Sequence, residues 1–311
     1  MALWATRRAG ALGVLAAVWL GLIGCSGGSA KPDAPKTAET QPDAGGKSDP
    51  KIDGQIRLAA AVQADPPKDD PLYHPFADAV RDANNPPEFV NKPADAILTG
   101  KPTYKLLNTV QQLWDGIRFT TPDGKRIDYT AVLDTDLGEI EISLRPDAAP
   151  NHVRSFVALI QAGYYDGMRF DRIHHEVSSD QPGDPLDYIE GGCPLDKGDP
   201  EDGSIGYWLK PEDGPALGLH HEIGAVGASH GRERDSAACK FYIMLCDAPY
   251  LDGSYTVFGK VTKGLDVVRT IMVRPVIIDD QDPPGHNRPK DPVIIRKASV
   301  RTQVAVAAGG K

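Results

Sequence analysis

Two His-His-Glu triplets, His174-His175-Glu176 and His220-His221-Glu222, are the first candidates for chemistry in this 311-residue chain. Imidazole and carboxylate suit zinc or a related metal, and Cys193 is a further possible ligand in the sequence between them. Extended backbone weakens the idea, because adjacent histidines on a strand point to opposite faces and each pair offers at most one ligand to a given site. No HExxH or phosphate-loop pattern is present. A second set combines a guanidinium with several aromatic rings. It comprises Phe170-Asp171-Arg172-Ile173, Glu190-Gly191-Gly192, Lys240-Phe241-Tyr242-Ile243, Tyr250-Leu251-Asp252-Gly253 and Val257-Phe258-Gly259-Lys260-Val261. A guanidinium is charged at any relevant pH and presents several donors in a fixed fork. Tyrosines offer apolar faces with a polar tip. Read singly, such residues are more often surface ion-pair partners or core and rim side chains. Their joint occurrence carries the argument.

In that order the five segments resemble the successive signature segments of cyclophilin-type peptidyl-prolyl cis-trans isomerases. An X-Pro bond turns slowly because amide resonance must be broken, a barrier of about 18–20 kcal/mol. Catalysis of that rotation needs no nucleophile, metal or cofactor. It needs a donor for the twisted imide nitrogen, a cage for the proline ring and anchors for the flanking backbone. The resemblance implies that Arg172 is the catalytic donor, in a segment where Asp171 replaces the family's usual His. It implies that Tyr242, Leu251, Tyr250 and Tyr255 line the proline site. Glu190 and Lys240 stand where the family has two Gln residues, the first of them a partner of the arginine. Tyr188 stands for a Met of the proline pocket and Asp187 for a Phe, with an insertion at residues 178–186 before them. Ser229 and His230 replace residues that contact substrate backbone. Glu190 and Lys240 read as a compensating exchange. The triplet at His221 precedes a strand at which relatives carry similar residues without metal, so no metal is expected.

These residues need strands to hold them. Short strand-like runs cover residues 129–134, 139–144, 168–173, 188–191, 225–228, 241–245, 256–261 and 293–300. Ala149-Pro150-Asn151 opens an amphipathic helix in which Val153, Phe156, Val157 and Ile160 share a face, and Gly163 ends it. Residues 265–272 also read as helical. Many short strands with two isolated helices argue for a mainly β, closed antiparallel barrel. The resemblance, which covers about residues 129–300, specifies eight strands capped by two helices. Ahead of it lies a mixed, helix-compatible extension. There Leu106, Leu107, Val110, Leu113, Trp114 and Ile117 recur at three- and four-residue steps and form a docking face.

The N-terminus reads as a targeting segment. Arg7 and Arg8 precede a short apolar run, and Leu22-Ile23-Gly24-Cys25 resembles a bacterial lipobox whose Cys25 becomes the lipidated first residue. Ser26, rather than Asp, follows it, as in lipoproteins sent on to the outer membrane. The Pro-, Gly-, Ala-, Asp- and Lys-rich stretch after it buries too little apolar surface to fold and reads as a tether. A net charge of −9 without a basic cluster argues against nucleic acid or anionic lipid as a partner. Cys193, Cys239 and Cys246 are odd in number, so they define no disulfide framework and leave at most one unassigned bridge. The expected organisation is a signal at residues 1–25, a tether at 26–55, a helical extension at 56–128, the cyclophilin-like domain at 129–303 and a disordered tail at 304–311. The expected function is prolyl isomerisation of exported proteins or proline-containing peptides at the periplasmic side of the cell envelope. An inactive module that binds proline-containing segments or an envelope partner is the alternative.

Overall fold

The computed structural model of the chain describes residues 66–176, 186–197, 199, 201–212, 219–277 and 287–305. The signal with Cys25, the tether, residues 56–65, most of the 178–186 insertion and the last six residues of the expected tail lie outside the described residues.

Alternation builds the strands. Strand β1 (Ile127–Thr135) turns into β2 (Gly138–Leu144), where Ile140, Ile142 and Leu144 are buried while Glu139 and Glu141 face outward. The Thr135 hydroxyl closes this hairpin by donating to the Gly138 carbonyl at 2.6 Å. Strands β3 (Phe170–Glu176), β4 (Leu186–Gly191), β5 (Ala225–Ala228), β6 (Phe241–Met244), β7 (Val257–Lys263) and β8 (Ile295–Val304) complete one antiparallel sheet. Its order is β3-β4-β6-β5-β7-β2-β1-β8. The chain order of strands is thus rearranged so that β3, β4, β6 and β5 lie side by side. Those four carry most of the candidate site.

The expected barrel is not closed. Strands β3 and β8 are edges of a curled, open sheet and meet at the isolated bridge Arg169↔Ile294. Hydrogen bonds from Phe170 N to Val293 O (3.0 Å) and from Ile295 N to Met168 O (2.8 Å) flank that bridge. Pro292 directly precedes this contact and has no N–H with which to extend a ladder. Strand β8 also runs past the expected end, because β1 supplies it with partners as far as Ile127↔Val304.

Among the described residues the α-helices are α1 (Phe76–Ala79), α2 (Thr103–Trp114), α3 (Pro150–Gln161) and α4 (Leu265–Met272); α3 and α4 pack on the sheet and α2 on α3. Proline opens α3, and Gly163, at φ +69°, follows its end. The N-terminus of α3 has no cap of its own, so the Glu212 carboxylate supplies one by accepting from the N–H groups of Asn151 (3.0 Å) and His152 (2.9 Å). Val153, Phe156, Val157 and Ile160 enter the main core. The opposite, polar side of α3 is buried as well, because α2 and the rest of the extension lie over it. Leu106, Val110 and Trp114 form the buried stripe of α2.

Candidate active site

Register explains which side chains meet. In an antiparallel sheet, residues directly opposite each other project to the same face. Arg172 pairs with Glu190, Glu190 with Tyr242, and Tyr242 with Gly227, which gives one row across β3, β4, β6 and β5. The adjacent row on that face is His174, Tyr188 and Met244. Neighbours on the other face, Ile173, Ile189, Ile243 and Val226, enter the main core. Tyr242, Met244 and Val257, with Tyr188, Leu251 and Tyr255 packed on them, form a separate apolar cluster on the site face.

A bulge aims the guanidinium. The step from Phe170 to Arg172 on β3 faces only the step from Gly191 to Glu190 on β4, so Asp171 is the extra residue. The bulge shifts the side-chain parity of the strand. Phe170 and Ile173 can therefore both enter the core while Arg172 turns to the site face. At Gly227 the missing side chain is equally necessary, because a Cβ there would lie 2.2 Å from the Tyr242 ring and hydroxyl.

The face carries a cavity of about 510 Å³. Of the residues expected at the site, Arg172, Tyr188, Glu190, Ser229, His230, Tyr242, Leu251 and Tyr255 line it. The Tyr242 and Tyr255 rings meet edge to face at 6.1 Å, and His230 stacks on Tyr255 at 4.1 Å. The Arg172 guanidinium lies 5.6 Å from the centre of the Tyr188 ring.

Two expected contact residues are placed otherwise. Tyr250, in the short turn Pro249–Leu251, is half exposed and outside the cavity lining. Lys240 is fully buried, and its ammonium lies behind the Glu190 carboxylate at 2.5 Å. It also donates to the Asp199 carbonyl at 3.0 Å. The expectation that Lys240 touches substrate is corrected accordingly: its charge is consumed inside the wall. Asp187 faces another groove and pairs with His175 at 2.6 Å.

The electrostatics follow from that placement. Glu190 accepts from the Ser229 hydroxyl at 2.8 Å, and its nearest distance to the Arg172 guanidinium is 3.9 Å. Burial alone would raise its carboxyl, but Lys240 and then Arg172 outweigh it and hold Glu190 below the usual range. Lys240 responds in kind: burial opposes its charge, yet Glu190 and Asp171 keep the ammonium above its usual value. Lys240 thus answers the carboxylate more closely than Arg172 does, at 2.5 Å against 3.9 Å.

Several residues of the site have no counterpart in the sequence reading. Leu186 and Met244 line the cavity, and each follows from period-2 alternation with Tyr188 and Tyr242. Asp199, Glu201 and Arg232 also line it, from irregular segments that carry no periodic signal. Among the described residues no group of three His, Cys, Asp or Glu is placed to hold a metal ion. Cys193, Cys239 and Cys246 are free and buried, and burial pushes the Cys193 thiol up to about 11.

One cavity on the site face of a curled antiparallel sheet thus brings the Arg172 guanidinium beside a cluster of tyrosine rings. The family model described as cyclophilin type peptidyl-prolyl cis-trans isomerase/CLD matches residues 130–300, and the chain belongs to this family. It is 36% identical over 138 residues to "Peptidyl-prolyl cis-trans isomerase B" of Bacillus subtilis, covering 44% of this chain and 85% of that protein. It is 32% identical over 166 residues to "Peptidyl-prolyl cis-trans isomerase ppi1" of Schizosaccharomyces pombe, covering 53% and 95% respectively. A solved Cryptosporidium parvum cyclophilin type isomerase, crystallised in the presence of the dipeptide Ala-Pro, aligns at 23% identity with a TM-score of 0.44. That alignment covers 55% of this chain and 98% of the other.

Proposed function

We propose that the protein isomerises X-Pro bonds in exported proteins or peptides, from a lipid anchor at Cys25 on the periplasmic side of the cell envelope. The observation that carries the catalytic part is the Arg172 guanidinium at the cavity, with the neighbouring Glu190 charge already answered by Lys240. A proline ring seated against Tyr242, Leu251 and Tyr255 brings its imide nitrogen within reach of Arg172. Rotation takes that nitrogen out of conjugation and gives it a lone pair that a fixed donor can stabilise. Each planar isomer lacks that lone pair, so the donor favours the twisted form over both, which is the condition for catalysis. Ser229, which donates to Glu190, and His230, which stacks on Tyr255, brace the site beside the ring. The envelope assignment is supported by the lipobox-like Leu22-Ile23-Gly24-Cys25 and the tether-like composition after it.

The test is a protease-coupled or NMR-exchange assay on residues 26–311, comparing wild type with Arg172→Ala. The expected result is turnover by wild type and a loss of about 100- to 1000-fold in kcat/KM in the variant, the usual effect of removing one preorganised donor. A wild-type rate no faster than background, with peptide binding retained, would establish the non-catalytic binding module instead. Fractionation of radiolabelled-palmitate-fed cells, with Cys25→Ala as control, tests the anchor.

A further inference from the structure

Tyr242 supplies the floor of the cavity, yet its hydroxyl is turned to a partner that the isomerase chemistry does not use. The Tyr242 oxygen lies 2.7 Å from Nε2 of His221, and the two rings stack at 6.0 Å with 16° between their planes. On the far side of that imidazole, Nδ1 lies 2.7 Å from Oδ1 of Asp252. Asp252 also accepts from the His221 backbone N–H at 2.9 Å and faces Nδ1 of His220 at 2.7 Å. The His221 side chain is completely enclosed.

The chemistry of the three groups orders the protons along this line. An ionised carboxylate only accepts, so the proton of a neutral His221 sits on Nδ1, facing Asp252. Burial supports the neutral state, because it pulls the His221 imidazole below its ordinary 6.5, with Asp252 opposing. Nε2 is then a bare acceptor, and the Tyr242 hydroxyl donates to it. The hydroxyl is thereby held away from the proline ring, and the aromatic face of Tyr242 is presented to the cavity.

The line also joins three separate pieces of chain. Tyr242 is on β6, His221 lies in the segment before β5, and Asp252 follows the short turn that carries Leu251. A further bond, Ala248 N to His221 O at 2.7 Å, fixes the start of that turn. His221 thus stands between the pocket floor and the loop that furnishes its wall, with the Tyr255 ring edge-on at 6.4 Å.

We infer that His221 and Asp252 are positioning residues of the proline pocket, fixing the distance between Tyr242 and the Leu251–Tyr255 wall through the Tyr242 hydroxyl. The inference rests on the isomerase reading only for what the pocket holds, because the relay itself is a property of the free protein. It assigns a role to residues that do not touch substrate, and it explains why a hydroxyl is tolerated on a floor that must be apolar.

Tyr242→Phe, His221→Gln and Asp252→Asn test it, the first and last being near-isosteric. KM for an Ala-Pro tetrapeptide is expected to rise about 3- to 10-fold in each, with kcat less affected, the range that the loss of one buried hydrogen bond gives. Tyr242→Phe combined with His221→Gln should be no worse than the weaker single variant, since both cut the same line. Nitrogen-15 NMR of His221 in the wild type should show Nδ1 protonated and Nε2 unprotonated at neutral pH. Variants that lower the melting temperature but leave KM unchanged would overturn the inference, as would a protonated Nε2. If His221→Gln does not fold, Tyr242→Phe alone decides. NMR titration with the same tetrapeptide separates this inference from the isomerase reading. A wild type without turnover whose Kd still worsens in Tyr242→Phe keeps the relay and removes the enzyme. Turnover with an unmoved KM does the reverse.

Discussion

At Glu190 and Lys240 the chain has placed two opposite charges inside the wall of its pocket, where each depends on the other. Breaking such a pair strands a buried charge and costs about 3–5 kcal/mol, whereas removing both charges together is often close to neutral. Lys240→Gln should therefore destabilise the protein by about 3 kcal/mol and also lower kcat/KM, because Glu190 then draws on Arg172. Glu190→Gln leaves the ammonium only the Asp199 carbonyl and the more distant Asp171 and should destabilise the protein comparably. The double variant should recover most of both losses in urea unfolding and in turnover, and simple additivity would refute the coupling. Asp171 sits on the same cluster with one carboxyl oxygen accepting from Cys193 N at 3.2 Å and the other unpartnered. Burial pushes its carboxyl up to about 7 from an ordinary 3.8, with Lys240 opposing and Glu190 adding to the rise. Because the folded value is the higher one, the contribution of Asp171 to stability is whole below about pH 4 and is lost as pH rises through about 7. Calorimetry of wild type against Asp171→Asn should show the wild-type melting temperature falling relative to the variant across that window. Parallel curves would show that Asp171 does not titrate there.

At the scale of elements, periodicity reads the strands and register decides what they do. The alternation of Ile140, Ile142 and Leu144, and the Pro150 and Gly163 that bracket α3, are properties of one segment and were legible in the sequence. The bulge at Asp171 was not, because a bulge is defined by the partner strand as much as by its own. Yet the bulge is what delivers Arg172 to the site face. That the sheet stays open is illegible for a related reason: pairing of β3 with β8 depends on the donors of a segment broken by Pro292, not on the character of either strand. In the site, the resemblance located Tyr188, Glu190 and Tyr242, and the cross-strand rows show why those three face one cavity. It also brought in Lys240 and Tyr250, since position in a motif does not say whether a longer or charged side chain still reaches the pocket. Asp199, Glu201 and Arg232 come from irregular loops, where no spacing announces a direction.

Across the whole molecule, the extension and the isomerase domain share one core. The described residues, from Pro66 to Ala305, belong to one compact unit. Val110, Trp114, Ile117 and Phe119 of the extension belong to the same buried cluster as Val153, Phe156 and Phe241. The joint is polar at its centre. Arg154 of α3 is fully buried, donating from Nε to Ile117 O at 3.3 Å and from Nη2 to Leu72 O at 3.2 Å. Its guanidinium lies 4.7 Å from the Phe119 ring centre and 5.3 Å from that of Tyr73. Asp70, also buried, holds the neighbouring backbone by accepting from Phe119 N at 2.6 Å. An exposed capping helix would carry Arg154 as a solvated surface residue, so the extension has converted a rim position into an internal one. It follows that the two parts should unfold together. Urea denaturation of residues 26–311 should give a single transition by both fluorescence and circular dichroism, and Arg154→Met should move it by about 3 kcal/mol without splitting it. If the extension were an independent module, its tryptophan Trp114 would be released in a separate, earlier step, and Arg154→Met would shift that step alone.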